Sequence, residues 1–137
     1  MRSVVKGLFP NSELSEIAYF YAMHEFSLAG EVKRLAEAEA DKNNAVSINE
    51  ITIEVGDFSG VQVEAFRSAL EILSEKSRLS KASLNIIRKK GRGICPGCNK
   101  EFEMEQRIDT CPVCGAFPSE ISGGYEFRVV SLVVEKE

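Results

Sequence analysis

Four cysteines carry the clearest chemistry in the sequence. They fall as Cys95-Pro96-Gly97-Cys98, then twelve intervening residues, then Cys111-Pro112-Val113-Cys114-Gly115. Two C-x-x-C knuckles at this separation can bring four thiolates to the corners of a tetrahedron, the arrangement zinc prefers. Pro96 and Pro112 fix φ directly after the first ligand of each pair. Gly97 and Gly115 permit the tight turns that aim backbone amides at sulfur. Phe102 and Ile108 lie between the knuckles and are expected to pack as a miniature core. With four thiolates bound, no position remains for a catalytic water, so the site is expected to be structural. Two alternatives have different chemistry. The pairs could act as redox dithiols, or the segment could be a zinc ribbon that adapts a protein to nucleic acid.

Charge bears on the second alternative. Between residues 93 and 120, Lys100 and Arg107 face Glu101, Glu103, Glu105, Asp109 and Glu120, a surface that should repel phosphate. The one basic run, Arg88 to Arg92 with Gly91 inside it, precedes the segment, and its plainest reading is a solvated strand end. The whole chain of 137 residues carries a formal charge of −4, not the basic footprint of a nucleic-acid-binding domain. Its apolar fraction of 44% and charged fraction of 28% are those of an ordinary globular protein. No apolar run approaches the ~20 residues of a membrane span, and Pro10, Asn11, Glu13 and Glu16 break any signal-peptide core. A cytoplasmic location is expected, where cysteines serve as metal ligands more often than as disulfides. No nucleophile–base pair, phosphate loop or open metal site argues for an enzyme.

The elements that must position the cysteines follow from periodicity. Residues 24–42 read as a helix, with Leu28, Val32, Leu35 and Ala36 on one stripe and Asn43-Asn44 ending it. Residues 46–55 read as a strand, with Ile51, Ile53 and Val55 alternating with Thr52 and Glu54. A turn from Gly56 to Gly60 leads to a second helix at about residues 62–76, where Val63, Phe66, Leu70 and Leu73 share a face. Leu84 to Ile87 form a second strand. After the cysteine segment, Gly123-Gly124 opens a last strand from Tyr125 to Val134. Its apolar residues change face along its length, which requires either a bulge or burial of both faces. The expected fold is therefore mixed α/β, or α+β: a small three-stranded sheet with two helices, plus an inserted zinc-ribbon-like four-cysteine domain. Residues 23–92 and 120–137 would form the main domain and residues 93–119 the zinc domain. Residues 1–22 stand apart as an N-terminal extension without clear periodicity.

The chain has one histidine, His24, at the entry of the first helix. Alone it reads most simply as an exposed helix-entry residue. From Met23 to Glu137, however, the sequence resembles the HypA/HybF family of nickel metallochaperones. The matching stretches run in family order. They are Met23-His24-Glu25-Phe26-Ser27, then Ile53-Glu54-Val55-Gly56 with Ser59-Gly60-Val61, then Glu64-Ala65-Phe66. The two Cys-Pro-x-Cys knuckles follow, and then Ser122-Gly123-Gly124-Tyr125-Glu126-Phe127-Arg128-Val129.

The resemblance implies a nickel chaperone for [NiFe]-hydrogenase maturation, with urease served by some members. It implies nickel held at His24 with the backbone of Met23 and Glu25, and zinc held by Cys95, Cys98, Cys111 and Cys114. The implied partners are a HypB-type GTPase and the hydrogenase large subunit, with no membrane and no nucleic acid; a homodimer stays open. Nickel(II) with nitrogen donors favours square-planar coordination. A chain starting Met-His offers an α-amine, an imidazole and two amide nitrogens in fused chelate rings. Here Met23 follows 22 residues and, in that chain, lacks a free amine. Either translation begins at Met23, the expectation preferred here, or the extension is real and His24 binds with backbone amides or another donor.

Overall fold

Alternation, apolar stripes and helix-ending residues together set the observed order of elements. The computed structural model describes residues 2–6 and 25–136. The chain forms β1 (Arg2–Lys6), α1 (Glu25–Lys42), β2 (Ala45–Gly56), α2 (Val63–Ser74) and β3 (Ser83–Lys89). It continues with β4 (Gly91–Ile94), β5 (Glu101–Met104), β6 (Glu120–Gly123) and β7 (Phe127–Lys136). Two sheets result, one ordered β1-β7-β2-β3 and the other β5-β4-β6.

In α1, Leu28, Val32, Leu35 and Ala36 are buried with Ala29 and Ala40, so the expected stripe faces the core. The Asn43 side-chain amide donates to the Glu39 carbonyl at 2.8 Å, and Asn44 adopts a left-handed φ of 53°. Asparagine tolerates that conformation and ends the helix. The helix α2 supplies the crossover that parallel β2 and β3 require. Its Phe66 is fully buried and meets Phe127 of β7 edge to face, with ring centroids 5.3 Å apart at 87°. One apolar core joins α1, α2, β2, β7 and Leu79.

The main sheet has four strands where three were expected. The added strand is β1, from the stretch in which the sequence showed no period. It runs antiparallel to β7, with Val4 opposite Val133 and Val5 opposite Leu132. A five-residue strand needs no long alternation of its own, because its pairing is dictated by the backbone edge of β7. The face change of the last strand is a bulge. Thr52 pairs with Ser131 and Ile53 with Val129, leaving Val130 unpaired on β7. Phe127 and Val129 are thereby buried on one side of the irregularity, and Leu132 and Val134 on the other.

An ion-paired cluster lies on the outer face of this sheet. Arg128 and Lys89 both pair with Glu54. Burial pushes the Glu54 carboxyl upward, but the hydrogen bonds and charges of Arg128 and Lys89 outweigh it and hold the group below its ordinary 4.5. A depressed folded pKa contributes stability that is present above the unfolded value and lost as pH falls through the folded one. Glu54→Gln should therefore flatten the acid limb of the stability–pH curve and cost about 1 kcal/mol at neutral pH. Chemical denaturation at stepped pH checks this; an unchanged acid limb would refute it.

Candidate metal centres

The second sheet begins before residue 93 and ends after residue 119, so the annex is wider than the cysteine segment itself. The central β4 pairs with β5 on one side and β6 on the other, all antiparallel. This small sheet carries the two knuckles in its connections. Each knuckle folds the same way. The amide of Asn99 donates to the Cys95 carbonyl at 2.8 Å, and that of Gly115 donates to the Cys111 carbonyl at 2.8 Å. The next residues return the chain: the Cys95 amide donates to the Lys100 carbonyl at 3.0 Å, and the Cys111 amide to the Ala116 carbonyl at 2.9 Å. The fifth position of each knuckle is left-handed, with φ of 57° at Asn99 and 74° at Gly115. The sequence points to Gly115 and, for the matching role in the first knuckle, to Gly97; Asn99 performs it.

This geometry brings the four sulfurs within 4.8 Å of one another. Zinc–sulfur bonds of about 2.3 Å set a tetrahedral edge of about 3.8 Å, so the cluster suits a structural zinc. The amide of Cys98 donates to the Cys95 sulfur at 3.4 Å, and Cys95 and Cys114 sulfurs lie 3.2 Å apart. Amide donation from Cys98, with help from the Cys114 thiol, brings Cys95 down to about 7. Cys98, crowded by Cys114 and then Cys95, is pushed up to about 12. Crowded thiols resist a second and third ionisation until a cation balances them.

Around the cysteines, the buried residues are Phe58, Phe102 and Met104, with Cys95 and Cys111 themselves. Phe102 packs as expected. Ile108 does not: it is 72% exposed, and Met104 and the main domain's Phe58 fill the space instead. Phe58 lies on the loop after β2, so the two sheets share this small cluster. The loop is knitted to the segment before β7, with the Phe58 amide donating to the Gly124 carbonyl at 2.7 Å and the Gly56 amide to the Glu126 carbonyl at 2.6 Å. A Cβ at Gly56 would stand 2.0 Å from the Gly124 carbonyl oxygen, which excludes any larger residue without a backbone shift. Gly124 itself has φ of 115°.

Arg107 completes the junction. Its guanidinium donates to the Phe58 carbonyl at 3.0 Å and sits 5.6 Å from the Phe58 ring and 5.1 Å from the Tyr125 ring. In the sequence Arg107 reads only as a charge, because its partner Phe58 is 49 positions away.

The basic run is neutralised. Arg88 pairs with Asp57, Lys89 with Glu54, Lys90 with Glu103, and Arg92 with Glu101 and Glu103. These cations are committed to carboxylates, as a solvated strand end would be, and nothing favours the nucleic-acid reading.

Met23 and His24 lie outside the described residues. Glu25 opens α1, where the positive end of the helix favours a carboxylate. Its Oε2 is buried and has no hydrogen-bond partner among the described residues. No helix among those residues is long and apolar enough to cross a membrane.

Comparison with known proteins agrees with this layout. Residues 23–134 match the family described as HypA, hydrogenase/urease nickel incorporation, metallochaperone. The hydrogenase maturation factor HypA of Parabacteroides distasonis is 36% identical over 115 residues, covering 84% of this chain and all of that protein. The Geobacter metallireducens factor of the same name is 37% identical over 113 residues, covering 82% and 100%. The solution structure of the nickel metallochaperone HypA from Helicobacter pylori is 30% identical, with a TM-score of 0.58 over 82% of this chain and 98% of that one. The chain belongs to the HypA family of hydrogenase and urease nickel-incorporation metallochaperones.

Proposed function

We propose that this chain takes up one nickel ion through His24 and the backbone of Met23 and Glu25, and passes it to a HypB-type GTPase and the [NiFe]-hydrogenase large subunit in the cytoplasm. In this reading, the domain built on the β1-β7-β2-β3 sheet carries the nickel, and the annex built on the β5-β4-β6 sheet carries a structural zinc on Cys95, Cys98, Cys111 and Cys114. The observation that carries it is the family match, which begins at Met23. The solitary imidazole fits transfer, since few side-chain donors hold the ion back. The role is delivery, not catalysis.

His24→Ala should abolish stoichiometric nickel binding and leave zinc in place, as read by calorimetric titration and metal analysis. Wild-type nickel affinity in that variant would overturn the assignment. Nickel affinity should also fall on acidification, because protons compete for an imidazole of reference pKa ~6.5 and for the amide nitrogens. Titrating a chain that starts at Met1 beside one that starts at Met23 tests the α-amine as a donor. Tighter binding by the Met23 form would include it; equal binding would remove it.

A further inference from the structure

A second site lies at the opposite chemical extreme from the acidic annex. A cavity of about 790 Å³ opens between α1, the first residues of β2 and the loop joining α2 to β3. Lys33, Lys76, Arg78 and Lys81 line it, against the single acidic residue Glu37, on a chain whose net charge is −4. Arg78 is occupied, paired with Glu37 and with Asp41. Lys33, Lys76 and Lys81 have no ion-pair partner among the described residues. Lys76 is also held at a left-handed φ of 59°, an unfavourable conformation for a lysine.

The floor of this cavity is specialised. Opposite β7, β2 carries two register shifts in a short stretch: Ala45 pairs with Lys136 and Ser47 with Glu135, then Ile48 with Val134 and Glu50 with Val133. Val46 and Asn49 are the extra residues, and both line the cavity. Bulges re-aim side chains out of the regular alternation. The Asn49 Oδ1 is buried and has no hydrogen-bond partner among the described residues. A buried acceptor left unpaired is costly, which marks it for a donor that arrives with a ligand. The neighbouring strand β3 first pairs at Glu50 with Ser83, so this stretch of β2 lies beyond its reach.

Free ammonium groups call for an anionic ligand, and the unpaired Asn49 oxygen calls for a donor. Inorganic phosphate offers oxygens and, at neutral pH, only one or two P–OH donors, which neighbouring ammonium groups help to ionise. An extended acidic peptide offers both, carboxylates for the lysines and backbone N–H for Asn49. We propose that this groove binds an acidic segment of a protein partner, with Lys33, Lys76 and Lys81 holding its carboxylates and Asn49 accepting a backbone N–H.

The test uses the full zinc-loaded chain and a short fluorescent oligo-glutamate peptide, with oligo-glutamine, inorganic phosphate and a single-stranded oligonucleotide as comparisons. Oligo-glutamate should bind, weaken with added salt, and shift the amide resonances of residues 46–49 and 76–81. The double variant Lys76→Glu with Lys81→Glu should weaken binding by about tenfold or more. Both lysines are exposed, so folding should survive, and unchanged zinc content and circular dichroism verify it. Asn49→Ala should weaken the peptide but leave any phosphate binding unchanged. Three results would overturn the proposal: no binding of oligo-glutamate, tighter binding of phosphate or the oligonucleotide, or peptide affinity indifferent to Asn49→Ala. Nickel binding at His24 is measured separately and does not enter any of these outcomes.

Discussion

Replacing Cys95 with serine should abolish zinc binding and unfold the annex while both helices stay folded. Cys95 is fully buried, and its sulfur lies beside Cys114 and receives the Cys98 amide. Serine presents a hydroxyl that ionises far less readily than a thiol and is a poor zinc ligand. Among the described residues, the apolar cluster around it buries Phe58, Phe102 and Met104 beside the cysteines, with Ala116 and Ile121 partly buried against them. That is too little burial to offset the entropy of ordering some thirty residues, at about 1–2 kcal/mol each for the backbone alone. A structural zinc on these thiolates would supply the difference, roughly 10–16 kcal/mol apparent at neutral pH for sites of this kind. Removing one ligand therefore removes the annex's main source of stability. The main core is a separate cluster containing both helices, so far-UV circular dichroism should keep its helical signal. Limited proteolysis should cut within residues 93–119, and metal analysis should find no zinc. Retained zinc and protease resistance would refute the zinc-dependent annex. Loss of the helices would refute its independence from the main core.

The same separation accounts for what could be read from the sequence. Each helix and β2 announced itself by local periodicity, because each buries one face against one core. The cysteines were legible for a different reason. Each pair recurs at the short C-x-x-C spacing, so the turn that brings its two sulfurs together is written into neighbouring residues. The features that stayed hidden depend on distant partners. β1 owes its place to the edge of β7, and its five residues carry no strong pattern of their own. The strand β4 contains two glycines in four residues, Gly91 and Gly93, which lowers strand propensity; pairing on both sides compensates. Arg107 reaches Phe58 across 49 positions of sequence. Phe58 itself reads as a turn residue, yet it closes the annex core. Asn99 is hidden because asparagine, although enriched in left-handed turns, is common in other conformations too, and the nearby Gly97 offers the stronger turn signal. The reading of His24 came from resemblance, since a lone imidazole has no local signature of nickel.

Phe66→Ala should be the most damaging single change in the main core, costing about 3–5 kcal/mol. Phe66 and Phe127 are both fully buried, and their edge-to-face contact joins α2 directly to β7. The substitution loses apolar burial and the ring–ring interaction, worth about 0.5–1.5 kcal/mol beyond area alone. It also leaves a cavity that the sheet cannot collapse to fill, because β7 is paired on both sides, with β1 and with β2. A loss of this size is a large fraction of the ~5–15 kcal/mol that holds a typical domain folded. Denaturant unfolding followed by circular dichroism should show the midpoint fall sharply. Zinc content should remain stoichiometric under native conditions, since Cys95, Cys98 and Cys111 pack in the other cluster and the Cys114 sulfur lies beside Cys95. Phe66→Leu keeps most of the volume and should recover more than half the loss. A Phe66→Ala protein of near wild-type stability would mean that the helix–sheet core closes around the gap. The architecture argues against that, because the packing that buries Phe66 also fixes α2 as the crossover between two parallel strands.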